Sequence, residues 1–173
     1  MTLQIIKGNL LDRAEEGAYD YIMHGCNCFH MMGSGIAGEI ARRYPEAARV
    51  DRENTAYGEP SKLGSYSVTS VFESQRIMKP KQLGWEDKPT YTSVTLDKPF
   101  TILNCYTQYR PGPDFIPSIF PYLITELNDE FSGSTIGLPA IGCGIGGSMD
   151  NLSIIVDALV TQGPDVSWEL VLL

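Results

Sequence analysis

The sequence predicts a three-layer α/β domain with a central mixed, mostly parallel sheet. Strand-like apolar segments alternate along the chain with segments of helical periodicity. Two strand-like segments, residues 19–24 and 100–106, are almost continuously apolar, which is typical of strands covered by helices on both faces. A length of 173 residues fits a single domain spanning residues 1–173. In such sheets, ligands bind beyond the carboxyl ends of the strands.

The first third of the chain predicts two strands and two helices. We expect a strand at residues 3–7, a turn or helical stub at 10–17, and a strand at 19–24. Ser34 is placed to cap a helix of about ten residues, because serine is a preferred N-cap residue. Pro45 ends that helix and can start a second one at residues 46–52, since proline is tolerated in a first helical turn.

The rest of the chain continues the alternation. Residues 65–72 alternate as a strand, and residues 75–99 predict a hairpin excursion. After the strand at 100–106, residues 115–131 have helical spacing, although Pro117 and Pro121 lie inside the pattern and move the expected helix start to near Pro117. The remaining predicted elements are a strand at 135–141, a helix at 151–161 and a strand at 167–172.

Two glycine-rich loops each follow a predicted strand and precede a predicted helix. The first contains Gly33, Ser34 and Gly35, and the second is residues 142–147, with the sequence GCGIGG. Free backbone N–H groups and the helix dipole favour an anion such as a phosphate at a helix N-terminus. Two such loops in one small domain indicate one ligand with two linked phosphates.

Composition excludes several functional classes. The formal net charge of −8 argues against a broad nucleic-acid surface, which relies on clustered Lys and Arg. No apolar run approaches the roughly 20 residues that a bilayer requires. We expect a cytoplasmic protein with no membrane partner, because the N-terminus lacks the features of a secretion signal. The spacing of Cys26 and Cys28 is shorter than a zinc-type CxxC pair, so we expect no metal and no cofactor.

Three blocks of the sequence together resemble the macro domain in their order and spacing. They are KGNL at residues 7–10, HGCNC at 24–28 leading to GSGIA at 33–37, and PAIGCGIG at 139–146. The chain looks most similar to the branch with the yeast-type ADP-ribose 1''-phosphate phosphatases and the ADP-ribosyl-glutamate hydrolases. This resemblance implies the macro-domain fold and a small-molecule ligand, ADP-ribose or a derivative of it. An ADP-ribosylated macromolecule is a further partner that it implies.

The resemblance also implies roles for individual residues. Asn9, with Leu10 beside it, stands where macro domains carry an acidic residue that reads the adenine amino group. Asn27 matches the asparagine that holds the distal ribose. The residues expected to wrap the diphosphate through backbone N–H groups are Gly33, Ser34, Gly35, Ile36, Gly142, Cys143, Gly144, Ile145 and Gly146.

Several positions depart from the pattern of hydrolytic macro domains. Ala37 stands where many of them carry an aspartate. The glutamate-adduct hydrolases use a lysine from the middle strand and an aspartate in the second loop, and the nearest positions here are Gln108 or Tyr109 and Gly146. The resemblance therefore implies that those two mechanisms lose their key groups.

The candidates for catalysis are His24, His30 and Asn27. An imidazole with an ordinary pKa near 6.5 suits acid–base work on a phosphate ester at neutral pH. His24 could equally be a histidine satisfied by backbone at a strand end, and His30 a solvent-facing loop residue. Asp51 is a candidate carboxylate partner.

Further candidates surround the strand at residues 100–106. Tyr106, Tyr109 or Arg110 could stack on adenine, or each could be a packed loop residue. Cys143 is either a nucleophile or a small residue tolerated close to a phosphate.

Two functions follow as expectations. The first is hydrolysis of a group from the terminal ribose, foremost of ADP-ribose 1''-phosphate to ADP-ribose and phosphate. The alternative is a non-catalytic reader or sponge for ADP-ribose.

Overall fold

The computed structural model describes residues 2–78, 90–144 and 146–173. Within these ranges six strands form one sheet in the order β1-β6-β5-β2-β4-β3. All neighbouring pairs are parallel except β3 and β4, which are antiparallel. The prediction of a mixed, mostly parallel sheet is confirmed. The strands are β1 (Leu3–Lys7), β2 (Tyr21–Cys26), β3 (Tyr66–Met78), β4 (Thr90–Tyr106), β5 (Thr135–Pro139) and β6 (Ser167–Leu172).

The described ranges also contain five α-helices, which lie between strands along the chain. They are α1 (Leu10–Glu15), α2 (Gly35–Arg43), α3 (Pro45–Asn54), α4 (Phe120–Glu130) and α5 (Leu152–Gln162). Pro45 ends α2 and occupies the first turn of α3, as predicted, because that turn needs no N–H from it. The short 3-10 turn Pro117–Ile119 precedes α4, so the regular helix begins at Phe120 rather than near Pro117.

The helices form the two outer layers. On one face, side chains of α1, α2 and α3 pack against Ile22 of β2 and Ile102 of β4. On the other face, α4 and α5 pack against the neighbouring residues Met23 and Leu103. Successive strand residues point to opposite faces, so the continuous apolar runs of β2 and β4 serve both layers.

The strands β3 and β4 form a long antiparallel ribbon. Their pairing extends from Tyr66 opposite Cys105 to Met78 opposite Thr90, with an irregularity between Val71 and Glu73. The hairpin excursion predicted for residues 75–99 falls partly on residues 79–89, which lie outside the described residues. In the described parts of the chain, no helix has the length and apolar character needed to cross a membrane.

Candidate functional site

The carboxyl ends of the parallel strands bring both glycine-rich loops to one edge of the sheet. Loop one, residues 27–34, follows β2, and loop two, residues 140–148, follows β5. Gly25, near the end of β2, leaves no room for a side chain. An added Cβ would lie 2.7 Å from the Thr107 hydroxyl after β4 and 3.0 Å from the Ile141 side chain in loop two. The two loops therefore start from closely packed strand ends.

Loop one leads directly into α2 and leaves its N-terminus open. Ser34 occupies the N-cap position with extended backbone, as predicted, but its side chain makes no capping hydrogen bond. Gly35 has a φ of +58°, which glycine adopts without strain. The first N–H groups of a helix have no partner within it. The exposed turn at Gly33, Ser34 and Gly35 therefore presents unshielded positive dipole ends to a ligand.

Gly38 allows loop one to lie against α2. A Cβ at this position would be 3.0 Å from the carbonyl carbon of Gly33. Ile36, the fourth residue predicted in this cradle, is half-buried and packs beside the core under α1 to α3. Its side chain therefore belongs partly to the core.

Loop two is folded back on itself around Gly142. The carbonyl of Gly142 accepts hydrogen bonds from the N–H of Ser148 at 2.9 Å and from Asn151 Nδ2 at 2.8 Å. Gly142 has a φ of +75°, and a Cβ there would lie 2.5 Å from the Phe115 ring. Gly144 is exposed, and a Cβ added there would meet no atom within 4 Å. Ile145, also predicted to contact the ligand, lies outside the described residues.

The Asn27 side chain organises loop one from within. Its Oδ1 accepts hydrogen bonds from the N–H groups of Phe29 at 2.9 Å and Met31 at 3.4 Å, and its Nδ2 donates to the Met31 carbonyl at 2.9 Å. Both the oxygen and the nitrogen of the carboxamide are therefore engaged by the turn. Asn27 thus shapes the turn, and the ribose contact that the family resemblance implies for it stays a prediction.

Asn9 and Leu10 lie after β1, at the same edge of the sheet as the loops. The Asn9 side chain caps α1 by accepting the N–H of Asp12 at 3.0 Å. Leu10 is buried in the core, so its side chain is not available to a ligand. The adenine-reading role predicted for Asn9 competes with this cap, because one carboxamide oxygen would serve both purposes.

His24 is completely buried in the middle of the sheet. It pairs with Asn104 across β2 and β4, and its Nε2 donates to Asn104 Oδ1 at 2.7 Å. Burial lowers the pKa of the His24 imidazole, with a smaller opposing effect from Asn104. A ring with no exposed surface touches no substrate. The acid–base role predicted for His24 does not fit this position, and the alternative of a histidine satisfied by backbone at a strand end differs too, because the partner is the Asn104 side chain.

His30 is tied to the segment that follows α3. Its Nε2 lies 3.0 Å from both the carbonyl oxygen and the hydroxyl of Thr55, so this nitrogen carries the proton and donates. The ring also packs edge-on against Tyr57, with 5.6 Å between centroids. His30 is thus a half-buried residue held through Nε2, which is a correction to the solvent-facing interpretation, whereas its acid–base role stays a prediction.

Tyr106 and Asp51 form a buried pair. Tyr106 donates its phenolic hydrogen to Asp51 Oδ1 at 2.6 Å and accepts from the Ser67 hydroxyl at 2.9 Å. Both residues are about 1% exposed. Tyr106 therefore cannot stack on adenine, because β4 turns its ring toward α3 and the interior. Of the other candidates, Tyr109 packs on Phe29, and Arg110 is exposed.

Gln108 and Gly146 stand near the positions for which the family resemblance implies a hydrolase lysine and aspartate. The Gln108 side chain is engaged by backbone carbonyls and lies against Gly146. The Gln108 amide donates to the carbonyls of Arg110 at 2.7 Å and Gly112 at 2.8 Å. A Cβ on Gly146 would lie 2.7 Å from Gln108 Oε1. A larger residue in loop two would therefore displace this glutamine.

Sequence reasoning missed Lys62 and Thr55. Lys62 is 7% exposed, and its ammonium donates to the Thr55 hydroxyl at 2.8 Å and to the Cys28 carbonyl at 3.5 Å. It also lies 4.5 Å from the centroid of the Tyr106 ring. The local sequence gives no indication of this burial. Lys62 stands between Pro60 and Leu63 in a loop rich in glycine and proline, where a lysine side chain is ordinarily solvated.

The four cysteines are buried and unpaired. Burial raises the pKa of the Cys143 thiol, so its reactive thiolate form is disfavoured and the small-residue interpretation fits better. Within the described ranges, no group of three His, Cys, Asp or Glu side chains could hold a metal ion.

Two surface clefts, of about 430 and 360 Å³, lie at the other end of α2. Arg42 and Arg43 line the first, and Tyr44 and Pro45 the second. The arginine Arg43 is paired with Asp12 and Glu39, both at 2.8 Å. These clefts are separate from the glycine-rich loops.

A protein of phage T4 is similar to this chain over most of its length. No established family profile matches the sequence. The uncharacterized 17.5 kDa protein of the tk-vs intergenic region of Enterobacteria phage T4 is 35% identical over 162 residues, which cover 91% of this chain and 89% of that protein. The chain belongs to the family of this T4 protein. The T4 family therefore includes a member with the fold and loops described above.

Solved structures show which fold this chain adopts. The macrodomain of Mycobacterium tuberculosis DarG has a TM-score of 0.62 at 22% identity, with coverage of 98% of this chain and 97% of that one. The macrodomain of Thermus aquaticus DarG has a TM-score of 0.60 at 19% identity, covering 98% and 97%. Thermosipho africanus DarTG, solved in complex with ADP-ribose, has a TM-score of 0.63 at 14% identity, covering 100% of this chain and 42% of that one. The predicted macro-domain fold is confirmed.

Proposed function

We propose that the protein binds ADP-ribose, or a derivative with the same diphosphate, between loop one and loop two. The observation that carries this proposal is the N-terminus of α2, where Ser34 holds the cap position without capping the helix. A diphosphate there would accept the hydrogen bonds that the side chain leaves unmade. Loop two, packed on the adjoining strand end, would cover the second phosphate.

A structural neighbour supports the choice of ligand. Thermosipho africanus DarTG, with the same fold, was solved with ADP-ribose. The net charge of −8 is compatible with such a ligand, because backbone N–H groups recognise a compact dianion without clustered lysines.

The geometry supports binding better than catalysis. His24 has no exposed surface, and the His30 imidazole is engaged by Thr55. By the family resemblance, Gly146 stands where the glutamate-adduct hydrolases carry an aspartate, and Gln108 or Tyr109 stands where they carry a lysine. We therefore assign the protein first to the readers or sponges of an ADP-ribose signal.

Hydrolysis of ADP-ribose 1''-phosphate is the second candidate. The sequence block at residues 24–37 resembles the yeast-type phosphatases, and this resemblance supports it. In that reaction, water would displace the 1''-phosphate while the loops hold the diphosphate in place. The His24 imidazole would require local opening to assist, because it has no exposed surface.

Calorimetric titration with ADP-ribose tests the first proposal. Ser34→Asp should retain α2, because aspartate is also a preferred N-cap residue, and its charge should repel the diphosphate. We expect at least a tenfold loss of affinity. Ser132→Asp adds the same charge in an exposed turn before β5, at the opposite edge of the sheet, and should bind as the unmodified protein does.

The same preparation decides between the two candidates. It is incubated with ADP-ribose 1''-phosphate while released phosphate is assayed. Binding without release supports the reader, and release above a Ser34→Asp control supports the phosphatase. Absence of any binding heat with ADP-ribose would remove the first proposal.

A further inference from the structure

We propose that Lys62 is a positioning residue that holds loop one in its ligand-binding conformation without touching the ligand. This inference rests on the proposed function for its consequence in binding. It rests on contacts of the described residues for the mechanism. Residues 55–62, which follow α3, form the segment through which Lys62 acts, and we call them the anchor segment.

The Lys62 ammonium has little contact with solvent and is satisfied by protein groups. It donates to the Thr55 hydroxyl and the Cys28 carbonyl, and its remaining side faces the Tyr106 ring. A buried ammonium is costly unless its donors are engaged. These contacts therefore fix the position of the Lys62 ammonium. Its hydrogen bond to the Cys28 carbonyl connects it to loop one.

The Cys28 backbone is bonded on both sides. Its carbonyl also accepts the N–H of Gly58 at 2.7 Å, and its own N–H donates to the Tyr109 carbonyl at 2.9 Å. Tyr109 in turn donates its hydroxyl to the Gly58 carbonyl at 2.8 Å. The anchor segment and the end of β4 thus hold the first residues of loop one from two directions.

Thr55 transmits the same constraint to His30. The Thr55 hydroxyl accepts from Lys62 and from His30 Nε2, and it donates to the Asp51 carbonyl at 2.5 Å. His30 has a φ of +58°, the one positive value among described non-glycine residues. Such a conformation is disfavoured for residues with a Cβ and persists where the surroundings impose it. The bonds to Thr55 are the surroundings that impose it here.

Asp51 supplies the opposite charge. Its carboxylate is buried and bonded by Tyr106, whose ring lies under Lys62. Tyr106 therefore links the carboxylate to the ammonium, and Thr55 links the ammonium to the backbone carbonyl of Asp51. This arrangement places α3, β4 and loop one in a single polar cluster beside the turn that Asn27 shapes.

Amide hydrogen exchange measured by NMR tests the positioning directly. The N–H groups of Phe29 and Met31 bond to Asn27 and report whether the turn is intact. In Lys62→Met and in Thr55→Val, we expect their exchange to accelerate at least tenfold. Thr55→Ser keeps the hydroxyl and should restore the protection.

A control variant separates positioning from general destabilisation. Asn128 is buried and bonds Asp165 at the opposite edge of the sheet. Asn128→Ala should lower the unfolding temperature without changing exchange at Phe29 and Met31. Thr55→Val retains both buried charges, so it remains informative if Lys62→Met does not fold.

ADP-ribose titration of the same proteins, well below their unfolding temperatures, completes the test. We expect about a tenfold weaker affinity in Lys62→Met and in Thr55→Val, and a loss in the double variant smaller than the product of the two single losses, because the variants share the Lys62–Thr55 hydrogen bond. The affinity of Asn128→Ala should be unchanged. Unaltered exchange in both anchor variants would overturn the positioning proposal. Lack of binding by the unmodified protein would instead overturn the proposed function, and the exchange result would still decide the role of Lys62.

Discussion

The phenol of Tyr106 donates a hydrogen bond to the Asp51 carboxylate, with 2.6 Å between the two oxygens, and joins the end of β4 to α3. The Asn104 amide, two residues earlier in β4, donates to the Ala47 carbonyl of α3 and to the Ser67 hydroxyl, both at 3.1 Å. Polar contacts therefore fix α3 on the sheet. This matters for the site because α3 leads into the anchor segment.

Replacing Tyr106 with phenylalanine should destabilise the fold. The ring would still pack, but the buried Asp51 carboxylate would lose its donor, at a cost of about 1–3 kcal/mol. Urea unfolding measures this difference. Tyr122→Phe removes a hydroxyl from an exposed helix position and should be neutral. Equal stability of Tyr106→Phe and Tyr122→Phe would contradict the assignment.

His24 should make stability fall as the solution becomes acidic. Burial lowers its pKa in the folded protein below the ordinary value of 6.5, so the unfolded chain binds the proton more readily. Well above pH 6.5, His24 is neutral in both states and does not change the free energy of unfolding with pH. As the pH falls from 6.5 toward the folded-state pKa, the free energy of unfolding decreases. Over that window, each pH unit costs up to about 1.4 kcal/mol.

The measurement compares unfolding free energies of the unmodified protein and His24→Gln between pH 7 and pH 5. Glutamine has no proton to gain, so the slope specific to His24 should disappear from the variant. Parallel pH profiles for the two proteins would count against a buried neutral imidazole.

Gly142→Ala should destabilise the protein strongly. The new Cβ would meet the Phe115 ring at 2.5 Å while the backbone is held at a φ of +75°. We expect a loss of about 2–4 kcal/mol from strain and overpacking. Thermal unfolding checks this result against Gly144→Ala, where the added methyl meets open space and stability should change by less than about 0.5 kcal/mol.

Gly38→Ala should separate affinity from stability. Alanine favours a helix interior by up to about 1 kcal/mol over glycine, which offsets the local crowding. The methyl group would nevertheless push the Gly33 backbone, 3.0 Å away, from the helix. We expect nearly unchanged thermal stability with an ADP-ribose affinity reduced several-fold. Unchanged affinity by calorimetry would show that loop one tolerates this displacement.

Local patterns predicted the elements well because their causes are local. Helical periodicity and Pro45 predicted α2 and α3, and glycine-rich segments predicted both loops. The bounds were less accurate. Strand β2 begins at Tyr21 rather than residue 19, and β5 ends at Pro139, because pairing with neighbouring strands decides where a ladder begins and ends.

The roles of polar residues were harder to predict because they depend on contacts between distant parts of the chain. His24 meets Asn104, 80 positions later, only through the register of β2 and β4. The inward orientation of Tyr106 requires Asp51 on α3. Lys62 has the local sequence of a solvated loop residue. Its burial depends on the packing of the anchor segment, which follows α3, against loop one.

The four buried thiols can serve as internal reporters of how the molecule opens. Burial raises the pKa of both Cys28 and Cys105, so neither reacts rapidly with an alkylating reagent in the closed state. Cys28 is held by the anchor segment, whereas Cys105 lies within the core between the sheet and α4. The rate of labelling at Cys28 therefore reports how often loop one opens. The rate of labelling at Cys105 reports how often the core of the domain opens.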